Sequence, residues 1–93
     1  MAEYIIESEV TIRAVDRLFS EKQKIHTCGT LNEAYEYIET YLGDTKELHT
    51  CFVRQFLCER DDCEDRVTKG RLIAINVVLG QFEDVLYITK KTE

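Results

Sequence analysis

Thr30 and Glu33 form a capping box, and between them and Gly43 the residues Leu31, Ala34, Tyr35, Ile38, Tyr41 and Leu42 recur at helical spacing. This pattern predicts a helix over residues 31–42, with Gly43 as its stop. The opposite face carries Glu33, Glu36 and Glu39, which must point to water or to a partner. A helix with one apolar stripe has to lay that stripe on another element, so the rest of the chain must supply a surface for it.

Strands are the best source of that surface. Arg71 to Leu79 is apolar on both alternating faces apart from Asn76, as an interior strand should be. Gly80 allows a turn into a further strand over Asp84 to Thr89, and Lys90, Lys91 and Glu93 make a polar tail. Tyr4 to Ile6 and Lys24 to Cys28 read as short strands, the second ending at Gly29. Between them, Ser8 can cap a helix over residues 9–22 that gathers Val10, Ala14, Val15, Leu18 and Phe19 on one face, although Val10, Ile12 and Ala14 also alternate as a strand would. From Glu47 to Glu59 the aromatic and β-branched content favours a strand, while Asp44 and Glu47 leave a capped helix open. Residues 59–65, rich in carboxylates, read as an exposed loop. The expected fold is an α+β domain, an antiparallel sheet of three to five strands with one or two helices (9–22, 31–42) packed on it.

At 93 residues the chain has room for one domain over residues 1–93, and 44% apolar side chains supply a core without help from metal or disulfides. No apolar run approaches the ~20 residues that span a bilayer, and no basic-then-apolar leader opens the chain, so the expected location is the cytoplasm. In that reducing setting the four cysteines are expected as thiols. Eighteen acidic residues against twelve basic ones give a net charge of -6, which opposes direct binding to phosphate backbones.

Soft-ligand chemistry is concentrated in a doubled tripeptide, His26-Thr27-Cys28 and His49-Thr50-Cys51, followed by Cys58 and Cys63. In strands each copy would present an imidazole and a thiolate on one face, and two copies side by side could hold zinc through His26, Cys28, His49 and Cys51. The spacing fits no zinc module, having neither Cys-x-x-Cys nor His-x(3 to 5)-His, so no cofactor is expected and zinc stands as the alternative. Cys28, ahead of a helix start, is the best-placed nucleophile, but no base or orienting group accompanies it and no enzymatic activity is expected. A calcium loop counted from Asp61 fails, with Arg66 and Leu72 where Gly and Glu are needed. Arg66, Lys69, Arg71, Lys90 and Lys91 lack the aromatic or glycine pattern of a phosphate site.

What remains is the placing of carboxylates. Glu33, Glu36 and Glu39 form a helical stripe, and Asp61, Asp62, Glu64 and Asp65 form a second cluster. Side by side they would imitate a run of phosphates. The expectation is a non-enzymatic protein-binding module that meets a basic, nucleic-acid-binding protein surface through those seven residues. Its most specific form is a small inhibitor of the phage or mobile-element anti-defence type, such as an anti-CRISPR, working in the host cytoplasm. That form is an analogy of type, carried by no motif. A homodimer or assembly subunit, formed through a sheet edge or the tyrosine-rich helix, is a second alternative to the zinc or thiol domain.

Overall fold

The structure is a computed structural model that describes residues 2–14, 17–44, 52–78 and 82–92. Strands β1 (Ala2–Ala14) and β2 (Arg17–Cys28) form a long hairpin, followed by helix α1 (Leu31–Asp44). Strand β3 (Phe52–Phe56) leads through a bend and a 3-10 turn (Arg60–Asp62) into the short helix α2 (Cys63–Thr68), then β4 (Ala74–Val78) and β5 (Phe82–Thr92). The five strands make one antiparallel sheet in the order β2-β1-β5-β4-β3. The α+β expectation thus holds, with a five-stranded sheet and two helices among the described residues.

Register sets the faces. Ile6 lies opposite Ile88, Ser8 opposite Leu86, Ala74 opposite Leu86 and Asn76 opposite Asp84, so these side chains share one face of the sheet. Onto it α1 lowers Ala34, Ile38 and Leu42, and α2 adds Cys63 and Val67. Ile6, Ala34, Ile38, Cys63, Ile73, Ala74 and Leu86 are sealed from solvent. The opposite face is left without a helix and is covered by its own long side chains. There Glu7 and Glu9 of β1 face Lys24 and Lys22 of β2, Lys22 lies 4.3 Å from the centre of the Tyr87 ring, and Thr89 donates to Glu7 at 2.9 Å.

The helix expected over residues 9–22 is not formed; its described residues are the two arms of the hairpin. The supposed apolar face includes Leu18 and Phe19, which the hairpin leaves 66% and 54% exposed. The alternation of Val10 and Ile12 with Glu9 and Thr11 wins instead, because β1 gains a full ladder on each side, with β2 and with β5. Ser8 is correspondingly no cap but a buried strand residue.

Two boundaries also differ. Helix α1 continues through Gly43 to Asp44, since Gly43 keeps a helical conformation and so does not act as a stop. The expected loop at 59–65 is the 3-10 turn and the first residues of α2, whose Cys63 and Val67 sit one turn apart and face the core. Gly70, with φ of +68°, supplies the left-handed residue after that helix. Phe52–Phe56 is a strand as expected, and the run expected over 71–79 forms an interior strand only at Ala74–Val78; β5 runs on through Lys90 and Lys91, which were expected as a tail, and Gly80 lies outside the described residues. Among the described residues no helix is long and apolar enough to cross a membrane.

Candidate functional site

Helix α1 is fixed to the sheet at two places, and these determine where its acidic stripe points. Near its C-terminal end Tyr41 reaches into the sheet and donates to the carboxylate of Asp84, which also accepts from the Ser8 hydroxyl at 2.5 Å. Asp84 is 1% exposed, so its carboxyl oxygens are met by these hydroxyls instead of by water. Burial first, and then the bond to Asp84, push the Tyr41 phenol above its ordinary range. Asn76, directly across from Asp84 on β4, is also buried, and its side-chain oxygen has no partner among the described residues. Sequence reading placed Tyr41 on the core face and singled out Asn76, but a strand partner for Ser8 could not be read without the register.

The second anchor is Tyr35. Its ring stacks on Phe56 of β3 with centroids 4.1 Å apart, and its hydroxyl donates to the Cys58 carbonyl at 3.4 Å. Arg60, in the 3-10 turn, lies over the same ring at 5.1 Å and bonds Glu39 at 2.6 Å, with Glu36 at 3.7 Å. Arg60 therefore joins the turn to the outward face of α1. Glu33, Glu36, Glu39, Asp61, Asp62, Glu64 and Asp65 are all exposed. The sequence singled out these seven carboxylates but not Arg60, the cation that ties the 3-10 turn to the acidic face of α1; its position between Glu59 and Asp61 was the available signal.

Neighbouring cations are engaged locally. Arg66 donates to the Leu72 carbonyl at 2.8 Å, Lys69 pairs with Asp65 at 3.1 Å, and Lys90 lies 5.9 Å from the Tyr4 ring centre.

The first His-Thr-Cys copy lies at the end of β2, as expected. A register shift between Ile6 and Glu7 of β1 turns His26 and Cys28 toward the helix-covered face, where His26 stacks on Tyr37 with centroids 4.1 Å apart. Cys28 is buried, and burial followed by the charge of Glu33 pushes its thiol up, the opposite of what activates a nucleophile. His49, Thr50 and Cys51 lie outside the described residues. Among the described residues no group of three or more His, Cys, Asp or Glu side chains is gathered to hold a metal.

The fold and the site thus define a small α+β domain whose outward helix face and adjoining turn are lined by carboxylates. No protein family, curated protein or solved structure matches the chain.

Proposed function

We propose that this chain is a non-enzymatic protein-binding module that meets a basic, nucleic-acid-binding surface of a larger protein through Glu33, Glu36, Glu39, Asp61, Asp62, Glu64 and Asp65. In its most specific form it is a small acidic inhibitor of the phage or mobile-element anti-defence type, such as an anti-CRISPR, acting in the host cytoplasm. The observation that supports the reading is the Arg60 bridge to Glu36 and Glu39, which ties the turn bearing Asp61 and Asp62 to the acidic face of α1. Carboxylates held on a helix and a tight turn can face the lysines and arginines of a nucleic-acid groove, and such complementarity raises association rate and selectivity.

The test is affinity capture from the native host, comparing the natural chain with a Glu33→Lys, Glu36→Lys, Glu39→Lys variant. A nucleic-acid-binding protein that is retained by the first, displaced by added nucleic acid and lost with the second supports the reading. Equal retention by both chains overturns it. Self-association is a second reading, favoured by the exposure of the paired Ile12 and Phe19 where the β1–β2 hairpin outruns the helix. Light scattering over a range of concentrations tests it.

A further inference from the structure

Cys58 and Cys63 form a pair that core packing only half explains. Cys63 opens α2, is sealed from solvent and packs with Val67 and Ile73. Cys58, in the bend after β3, is half-buried and packs against the same cluster from its solvent side. The segment between them is folded tightly back. Asp62 N–H donates to the Glu59 carbonyl at 3.0 Å, and Cys63 N–H donates to that of Arg60. The Tyr35 hydroxyl holds the Cys58 carbonyl from the other side. With its ends so constrained, the turn sets both cysteines against one buried cluster, five positions apart, and both remain free thiols.

We propose that Cys58 and Cys63 are a reversible dithiol–disulfide site that reacts with small-molecule disulfides of the glutathione class. Exposure assigns the roles. The Cys58 thiolate attacks one sulfur of the small disulfide, forming a mixed disulfide and releasing one thiolate. Cys63 then gives up its proton to water or buffer and displaces the second thiolate from the Cys58 sulfur. The two cysteines lose two electrons and two protons in all, and the small disulfide leaves as two thiols. Burial, which persists when Cys58 is in the mixed disulfide, pushes the Cys63 thiol up. The second step is therefore the slow one at neutral pH, and it quickens by about tenfold for each pH unit, as the thiolate fraction does. The ring closed by the new bond contains Arg60, so oxidation locks the turn that carries the bridge to α1.

Full-length protein is treated with oxidised glutathione, quenched with an alkylating agent at successive times and at several pH values, and mapped by peptide mass spectrometry. The expected course is a glutathione adduct on Cys58 that gives way to a Cys58–Cys63 link, faster at higher pH. Cys28→Ser and Cys51→Ser should behave as the natural chain does. Cys63→Ala should stop at the adduct, and Cys58→Ala should leave Cys63 unreacted. The natural-chain time course serves as the readout even if a variant misfolds. An adduct that persists at every pH, a link from Cys58 to Cys28 or Cys51, or an inert Cys58 would overturn the proposal.

Discussion

The two ends of the β1–β2 hairpin share one alternation of side chains and have opposite surroundings. At the open end of the hairpin, where the chain enters β1 and leaves β2, Ile6 and Cys28 are buried beneath α1; toward its tip Ile12 and Phe19, paired on that same face, are 46% and 54% exposed. Length explains the difference. A helix of 14 residues covers about 21 Å, whereas a strand of 13 residues runs about 43 Å, so α1 can roof only about half of β1. The longest dimension of the molecule is 45 Å, close to the run of β1 alone. A strand pattern thus specifies which residues can be buried, and the reach of the covering helix decides which of them are.

The largest effect that separates the two halves is expected from paired truncations. Leu86→Ala, beneath α1 and sealed from solvent, should cost about 2–5 kcal/mol in chemical denaturation, because it removes buried methyl groups and leaves a cavity. Phe19→Ser at the hairpin tip should change stability by no more than about 0.5 kcal/mol. Should the two losses be similar, and depend on protein concentration, the tip is covered in solution by a second copy and the comparison fails.

The boundary between the halves is marked by Asp84, which lies opposite Val10 on β1 and accepts from Tyr41 in the closing turns of α1. Here the expected effect is intermediate. Tyr41→Phe removes a bond to a buried carboxylate and should cost roughly 1.5–3 kcal/mol. It should also flatten the alkaline limb of the stability curve. Tyr41 holds its proton more tightly folded than unfolded, so its stabilisation is complete below its ordinary value of 10.0 and is lost as pH rises beyond it. Cys63 contributes in the same direction, which leaves part of the slope in the variant. A variant whose alkaline slope equals that of the natural chain would show that the Tyr41–Asp84 contact is not what pins the helix end.

Much of the covered half could be read from sequence. The capping box at Thr30 is realised, with Glu33 N–H donating to the Thr30 hydroxyl at 3.2 Å, and the stripe from Ala34 to Leu42 is the one that is buried. β4 and β5 were also readable, from their apolar runs. The hairpin was not, because Val10, Ala14, Val15, Leu18 and Phe19 satisfy a helical period and the deciding term is the pairing of β1 with a strand more than sixty residues away. Helix α2 was hidden because Cys63 and Val67 give only two apolar positions among carboxylates, although Gly70 was a stop signal. The acidic residues of the candidate site stood out by type alone. Their adjacency did not, since it depends on Arg60 and on the Tyr35–Phe56 stack, contacts between segments that local periodicity does not relate.

The smallest effect is expected at Arg60, on the outward side of the covered half. Its pairs with Glu36 and Glu39 leave all three side chains between 43% and 63% exposed, and ion pairs in water are worth less than about 1 kcal/mol. Arg60→Ala should therefore lower stability by less than that, with the loss shrinking as salt is added. Its aliphatic stem and guanidinium also lie over the Tyr35 ring, an interaction that salt screens far less. Denaturation of Arg60→Ala and of Arg60→Ala with Tyr35→Leu at low and high salt separates the two contributions. A salt-insensitive loss that disappears in the Tyr35→Leu background would assign the bridge to ring packing. The outer face of α1 would then be joined to the turn by the same kind of apolar contact that builds the core, and the carboxylates Glu36 and Glu39 would be left unneutralised for a basic partner.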